Sequence, residues 1–412
     1  MGRPNCTGRS LAWAVPIAAE AGAFARSIIF AWAIGPDDLG RAMMLALTVR
    51  LAEMASDVGI DRLIVQAPDG NTARMQSGLH AASILRGVVS ALVVLALSPA
   101  LAAFFAGGPS IASYASLAVI PLIRGFAHLD YRRAERRFSY SGLAVTEGGA
   151  TLAMVFCILP ATWAFGDYRA MSAVLIAHAA TLTVMSHAVA TRPYRMRLLT
   201  SVLKRSLRFG GPLILNALLL FTTFYADRLI VARAYDWTSL AVYGVALQLA
   251  LLPAQIVGRA AASLLLPVLR QAIAAGTART ALNRLLLSHA GLGAGLALVF
   301  TLLAPPVIPL IYGAEFRPGL SFALALGLAA GFRVLRTPLS QFAIATGRTA
   351  DPARANLIRA FAVVPAALCA AAGLPLWTVA AAAAFGEGGA TLRAYQLVNK
   401  TGSNRFPKES LA

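Results

Sequence analysis

The chain has 412 residues, of which 58% are hydrophobic and 13% charged, and this composition is too apolar for a soluble protein surface. A net charge of +19 often indicates a nucleic-acid partner, but here the basic residues lie in short connectors between apolar runs. Anionic membrane lipid accounts for that placement, so we predict membrane lipids as a partner and no nucleic acid.

Twelve apolar runs along the chain are long enough to cross a bilayer, which takes roughly 20 residues of helix. The sequence therefore predicts an all-α polytopic membrane protein. The runs lie near residues 11–34, 40–58, 79–106, 110–129, 141–165, 171–190, 209–233, 240–268, 286–312, 318–346, 357–372 and 376–398.

The connectors between these runs differ in charge. Lys and Arg crowd into the even connectors and both ends of the chain, whereas the odd connectors carry only Arg169, Arg233 and Arg317. Because Lys and Arg near span ends stay on the cytoplasmic side, we expect both termini to be cytoplasmic. The first run is longer than the apolar part of a signal peptide, so we predict a span there.

The longest and most basic connector, residues 191–208, lies at the middle of the chain. A connector at this position divides the chain into two halves of six runs each, and many secondary transporters consist of two such halves. We predict an N-terminal lobe at 1–190 with six helices, a basic cytoplasmic linker at 191–208, a C-terminal lobe at 209–398 with six helices, and a cytoplasmic tail at 399–412.

Arginine recurs within or at the edges of the predicted spans. At about 2.5 to 3.5 kcal/mol each when facing lipid, these residues together would cost more than the roughly 5 to 15 kcal/mol by which proteins are stable. Most must therefore face a wet cavity, a partner or a headgroup, and those near span ends (Arg41, Arg359 and Arg393) could simply extend to the interface. The full set is Arg26, Arg41, Arg50, Arg86, Arg124, Arg228, Arg259, Arg333, Arg336, Arg359 and Arg393.

Helical spacing places many polar residues on shared faces. Each such stripe has two readings: a salt bridge or hydrogen bond that holds helices together, or the lining of a cavity. Because arginines outnumber acids in the spans, a cavity lined by them suits an anion and above all a phosphate. The stripes are Arg50, Glu53, Asp57 and Asp61; Ser83, Arg86 and Ser90; Asn216, Thr223 and Asp227; Gln248, Gln255 and Arg259; and Arg333 with Arg336.

Acidic residues inside the spans are candidates for ion coupling, and they are Glu53, Asp57, Glu147, Asp227 and Glu387. Glu147 and Glu387 each precede a Gly-Gly pair, which favours close helix packing over a proton-carrying carboxylate. The three cysteines show neither CxxC nor metal-ligand spacing, and no catalytic motif occurs. We therefore predict no metal, no cofactor and no enzymatic activity.

Two segments resemble a known family, the Wzx-type polysaccharide flippases of the multidrug/oligosaccharidyl-lipid/polysaccharide (MOP) transporter superfamily. Residues 35–40, 55–60 and Gln66 resemble the family's first external turn and second helix. Residues 227–230 and 243–246, with Leu249, Pro253 and Pro267, resemble its seventh and eighth helices.

This resemblance implies two six-helix lobes forming a V-shaped central cavity in the bacterial inner membrane. It implies transport of an undecaprenyl-diphosphate-linked oligosaccharide from the cytoplasmic to the periplasmic leaflet by alternating access. The product would be O-antigen, capsule or exopolysaccharide, with a polysaccharide polymerase and glycosyltransferases as partners. Cavity arginines on the first, second and eighth helices of related flippases correspond by helix to Arg26, Arg50 and Arg259.

The predicted substrate site combines the resemblance with the stripes. Its members are Arg26, Arg50, Arg86, Arg124, Arg259, Arg333, Arg336, Gln248, Gln255 and Asn216. Two other functions remain open: an organic-cation or multidrug antiporter of the same superfamily, and a membrane-embedded polymerase or ligase of lipid-linked glycan. The arginine-rich spans disfavour the first, and the lack of a sizeable external loop disfavours the second.

Overall fold

The computed structural model of the protein describes residues 6–401, with side chains described for 14–261 and 264–400. Within the described residues all regular structure is helical. The α-helices are α1 (Cys6–Ser56), α2 (Ile60–Gln66), α3 (Ala73–Phe104), α4 (Ile111–Ser116), α5 (Val119–Gly125), α6 (Asp130–Ala134), α7 (Ser141–Leu143), α8 (Gly149–Phe165), α9 (Ala170–Ala188), α10 (Thr200–Ala234), α11 (Trp237–Ala274), α12 (Ala278–Tyr312), α13 (Leu320–Ala345), α14 (Ala350–Phe361), α15 (Val363–Ala371) and α16 (Leu376–Thr401).

Nine helices in the described part of the chain are long and apolar enough to cross a membrane, and a bent pair, Ile111–Gly125 with Asp130–Arg137, makes ten. α1 comprises two predicted runs, because Gly35 (φ 75°, ψ 175°) interrupts its helical backbone. α16 corresponds to the twelfth run and is less apolar because it contains Glu387 and Arg393. The chain is a multi-pass membrane protein, and its helices are consistent with twelve spans.

Large apolar side chains on the outer faces of these helices fit a lipid environment. Phe156, Trp163, Leu310 and Phe385 are each at least three-quarters exposed. Such exposure on a soluble protein would cause aggregation, whereas in a bilayer it leaves the side chains in hydrocarbon.

The helices form two compact units, Met1–Phe221 and Thr222–Ala412, and the boundary lies inside α10. In the first unit, a core that includes Ile64 and Leu79 joins α2, α3 and the start of α10. In the second unit, a core that includes Leu282 and Phe342 joins α12, α13 and the end of α16.

The middle connector differs from the prediction, because α10 begins at Thr200 and makes residues 200–208 helical. The residues before Thr200 are held within the first unit by hydrogen bonds, most of which involve their backbone. Asp130 accepts hydrogen bonds from the backbone N and the Oγ1 of Thr191, at 2.9 and 2.8 Å. The backbone N of Arg197 donates to the carbonyl oxygen of Ser77 at 3.1 Å.

Histidines complete this attachment. His80 Nδ1 donates to the carbonyl oxygen of Arg195 at 2.9 Å, and His128 Nε2 donates to that of Arg192 at 3.0 Å. The other nitrogen of each ring accepts a backbone N–H, which fixes these tautomers. Tyr194 stacks on His80 at 4.4 Å between ring centroids, and burial raises the pKa of its hydroxyl.

Candidate functional site

A polar cavity of about 350 Å³ lies within the N-terminal unit, bordered by α1, α2, α3, α5 and α10. Four arginines and three carboxylates line it, so its lining carries a surplus of positive charge. The cavity brings together six of the predicted site and ion-coupling residues. Its charged and amide residues are Arg50, Glu53, Asp57, Asp61, Arg62, Arg86, Arg124 and Asn216.

A break between α1 and α2 shapes one side of this cavity. We predicted that the stripe from Arg50 to Asp61 would follow one helix, but α1 ends at Ser56 and α2 begins at Ile60. Gly59 adopts the left-handed conformation (φ 68°), and its backbone N donates to Asp57 Oδ1 at 2.9 Å. The glycine thus turns the chain and leaves Asp57 and Asp61 on the cavity wall.

A close crossing of α3 and α5 places two of the cavity's arginines. A Cβ atom added to Gly87 would lie 2.5 Å from the carbonyl oxygen of Pro121 and 3.1 Å from the Cα of Gly125. Only glycine permits this approach of the two backbones. Arg86 and Arg124 directly precede the two glycines and both line the cavity.

Some of the cavity's charges already have partners. Arg124 forms an ion pair with Glu53, and Arg132 lies 3.4 Å from Asp61. Among the described residues, Arg50, Arg62 and Arg86 form no ion pair and no side-chain hydrogen bond. These three unpaired arginines allow the cavity to bind an external anion.

The C-terminal unit contains a separate buried charge cluster around Glu387, which is only 2% exposed. Glu387 forms ion pairs with Arg336 (3.0 Å) and Arg359 (2.8 Å). The guanidinium groups of Arg359 and Arg333 lie over the ring of Phe224, at 4.2 and 5.0 Å from its centroid. Three cations therefore surround one carboxylate.

This cluster retains unused hydrogen-bond donors, since the Nη1 atoms of Arg333, Arg336 and Arg359 are buried without an acceptor. From its position near a predicted span end, Arg359 was expected to extend to the membrane interface. α14 begins at Ala350, seven residues before the predicted span, so Arg359 lies more than two helical turns inside it.

Two further predicted carboxylates have local partners. Asp227 accepts a hydrogen bond from the Tyr243 hydroxyl at 2.8 Å. Glu147 forms an ion pair with Arg132 and lies in a π-helical turn, Ala144–Gly148. Nothing lies within 4 Å of a Cβ atom added to Gly148, so a close helix approach does not explain that glycine.

The remaining predicted residues do not line the N-terminal cavity. Arg26 Nη1 donates to the sulfur of Met154 on α8 at 3.3 Å. Gln248 and Gln255 are half-buried and Arg259 is exposed, all on α11 of the other unit. Their role in a substrate site stays a prediction.

Within the described residues, no group of three or more His, Cys, Asp or Glu side chains could hold a metal ion.

Solved structures resemble this fold across nearly its whole length. An inward-facing multidrug resistance MATE family transporter of the MOP superfamily shares 15% identity at a TM-score of 0.67, covering 94% of this chain and 96% of that one. The lipid II flippase MurJ, in an inward closed conformation, shares 13% identity at a TM-score of 0.71, covering 96% and 88%. A mutant of the Vibrio cholerae MATE transporter VcmN shares 15% identity at a TM-score of 0.55, covering 98% and 99%.

The fold is that of these solved membrane transporters. The chain itself belongs to the polysaccharide biosynthesis protein family, whose sequence model matches residues 29–320. No curated protein matches the sequence. The predicted fold class and family resemblance are confirmed.

Proposed function

We propose that the protein is a flippase that moves an undecaprenyl-diphosphate-linked oligosaccharide from the cytoplasmic to the periplasmic leaflet. It works by alternating access, without enzymatic chemistry, in the assembly of O-antigen, capsule or exopolysaccharide. The proposal places it in the bacterial inner membrane with both termini in the cytoplasm, beside a polysaccharide polymerase and glycosyltransferases. Family membership and the asymmetry of basic connectors support this assignment.

The observation that carries the proposal is the unpaired state of Arg50 and Arg86 in a cavity bordered by helices long and apolar enough to span a membrane. An arginine at mid-depth costs about 2.5 to 3.5 kcal/mol or more unless water or an anion faces it. A diphosphate offers several oxygens that guanidinium groups can bind in pairs. Asn216 and Ser90, which line the same cavity, can hydrogen-bond to sugar hydroxyls.

The membrane potential favours the proposed direction. Moving an anion outward across a membrane whose inside is negative releases about 2.3 kcal/mol per charge per 100 mV. The return of the empty, positively charged cavity toward the cytoplasm is favoured by the same field. The potential alone can therefore contribute to both halves of the cycle.

An organic-cation antiporter of the same fold is the alternative, and the carboxylates disfavour it. A cation needs an available carboxylate, whereas those of the polar cavity already have partners. Glu53 pairs with Arg124, Asp61 lies 3.4 Å from Arg132, and Asp57 accepts the backbone N–H of Gly59. A polymerase or ligase needs a site for glycosyl transfer, and the polar cavity offers no activated nucleophile.

The test is a leaflet assay in a deletion strain. Lipid-linked oligosaccharide is labelled on spheroplasts with a membrane-impermeant sugar reagent, and the strain is complemented with wild type, Arg50→Ala, Arg86→Ala or Arg317→Ala. Arg317 is exposed in an odd connector and serves as the matched arginine control. We expect outward labelling with wild type and Arg317→Ala, and at least a tenfold loss with the two cavity variants at equal protein level.

Normal outward labelling in the deletion strain would contradict the flippase assignment. If that strain also became sensitive to cationic dyes, with protection lost in Asp227→Asn, the antiporter would replace it. Unchanged labelling with both cavity variants would instead contradict the role of the arginines.

A further inference from the structure

An apolar groove of about 360 Å³ lies in the same N-terminal unit, between the end of α1, the middle of α3 and the first half of α10. Aliphatic side chains make up most of its wall. Its apolar lining includes Ala55, Leu85, Val89, Val93, Leu207 and Ile214.

The groove adjoins the polar cavity, because Ser56, Arg86 and Ser90 line both. Arg86 therefore stands at the boundary between a charged compartment and a hydrocarbon one. Its aliphatic stem suits the groove, and its guanidinium group, which has no protein partner, suits the cavity.

The groove is accessible from the outer face of the helices. Val89 and Val93 on α3 and Leu207 on α10 are each about half exposed. Its other end is closed where α10 packs against the connector between α1 and α2, since a Cβ atom added to Gly210 would lie 2.4 Å from the Cα of Val58. A chain could therefore enter laterally from lipid and stop beside Arg86.

We propose that this groove binds the first isoprene units of a prenyl diphosphate while the diphosphate lies against Arg86. The inference rests on the proposed function and adds a site for the lipid part of the substrate. In a prenyl diphosphate the anion is attached directly to a branched hydrocarbon, which matches an arginine shared by both compartments. In a phospholipid, a glycerol backbone separates the phosphate from the acyl chains.

The size of the groove limits what it holds. Cavities of about 300 to 1,000 Å³ enclose ligands of drug size, so this one takes only the start of a long prenyl chain. The remainder stays in the bilayer. Holding the proximal chain keeps the diphosphate beside Arg86 and adds apolar burial to the binding of the headgroup.

The test compares three probes on the purified full-length protein in detergent: inorganic pyrophosphate, geranylgeranyl diphosphate and phosphatidylglycerol. Binding is measured from the concentration dependence of thermal stabilisation. Val89→Trp fills the groove from α3, and Ala55→Phe fills it from α1. Leu92→Trp is the matched control, because Leu92 is exposed on α3 but lines neither compartment.

We expect wild type and Leu92→Trp to bind geranylgeranyl diphosphate at least tenfold more tightly than pyrophosphate. In Val89→Trp and Ala55→Phe this advantage disappears, while pyrophosphate binding stays unchanged. Equal affinity of wild type for the two diphosphates would overturn the proposal, as would an advantage that survives in both filled variants. Phosphatidylglycerol binding as tightly as geranylgeranyl diphosphate would also overturn it, because the groove would then hold bulk lipid.

Failure of the proposed headgroup site gives a different result. The role of the polar cavity would be contradicted if wild type did not bind pyrophosphate and Arg86→Ala left the affinity for geranylgeranyl diphosphate unchanged. A chain-dependent affinity that is lost in Val89→Trp would still support the groove.

Discussion

Gly87 and Gly125 meet at the crossing of α3 and α5, and each directly follows an arginine of the polar cavity. A Cβ atom added to Gly125 would lie 3.1 Å from the carbonyl oxygen of Ser83, and one added to Gly87 would lie 2.5 Å from that of Pro121. The distance between the two backbones therefore decides where Arg86 and Arg124 point. Two residues without side chains thus position the site's charges.

We predict that Gly87→Ala separates the two helices and impairs transport. Overpacking of this kind costs about 1 to 3 kcal/mol, so we expect a lower midpoint of thermal unfolding and reduced outward labelling of lipid-linked oligosaccharide. Gly295→Ala on α12 is the control, because nothing lies within 4 Å of its added Cβ atom. Wild-type stability and labelling in Gly87→Ala would show that the crossing is not tight.

A double-mutant cycle can separate the structural role of the Arg124–Glu53 ion pair from substrate binding. Both side chains are about a third exposed, so we expect a coupling of only about 0.5 to 2 kcal/mol. Arg124→Ala and Glu53→Ala should each lower the midpoint of chemical unfolding, and the double variant should lower it by less than their sum. Strict additivity would show that the two residues act independently.

Glu387 is predicted to neutralise the buried arginines of the C-terminal unit and not to carry a coupling ion. Replacing it by Gln leaves Arg333, Arg336 and Arg359 without a countercharge, and breaking a buried pair in this way costs about 3 to 5 kcal/mol. We expect Glu387→Gln to accumulate poorly in the membrane, measured by immunoblot and thermal unfolding. Glu315→Gln is the exposed control. Normal accumulation together with a lost dependence of transport on an ion gradient would favour ion coupling instead.

The sequence was sufficient to predict the helices and several cavity residues. Apolar runs gave the spans, and helical spacing placed Arg50 with Glu53, and Arg86 with Ser90, on shared faces that line one cavity. Periodicity acts within one helix, however, and cannot show which faces of different helices meet. The crossing at Gly87 depends on the fit between two backbones, which no spacing rule expresses.

Arg359 and Asp57 show why the rest was not predictable. Arg359 was placed near a span end because hydropathy falls at the polar start of α14. The helix itself begins nine residues before Arg359, at Ala350. Asp57 was placed on a continuous helix, whereas Gly59 turns the chain there. A glycine in an apolar run is compatible with both helix and turn, so only packing decides between them.

The attachment of the middle connector leads to a prediction about proteolysis. Asp130 is 3% exposed and accepts from Thr191 and from Arg133 Nε (2.6 Å), so Asp130→Ala removes charge-assisted hydrogen bonds worth about 1.5 to 3 kcal/mol each. Because cleavage follows the population of the open form, we expect trypsin to cut after Arg195 or Arg197 roughly ten- to a hundredfold faster. Limited proteolysis of the solubilised protein, with mass analysis of the fragments, measures this rate.

Asp167→Ala, which removes an exposed hydrogen bond to Arg169, is the control and should leave the rate unchanged. Equal rates in wild type and Asp130→Ala would mean that the histidines and Ser77 hold the connector without Asp130.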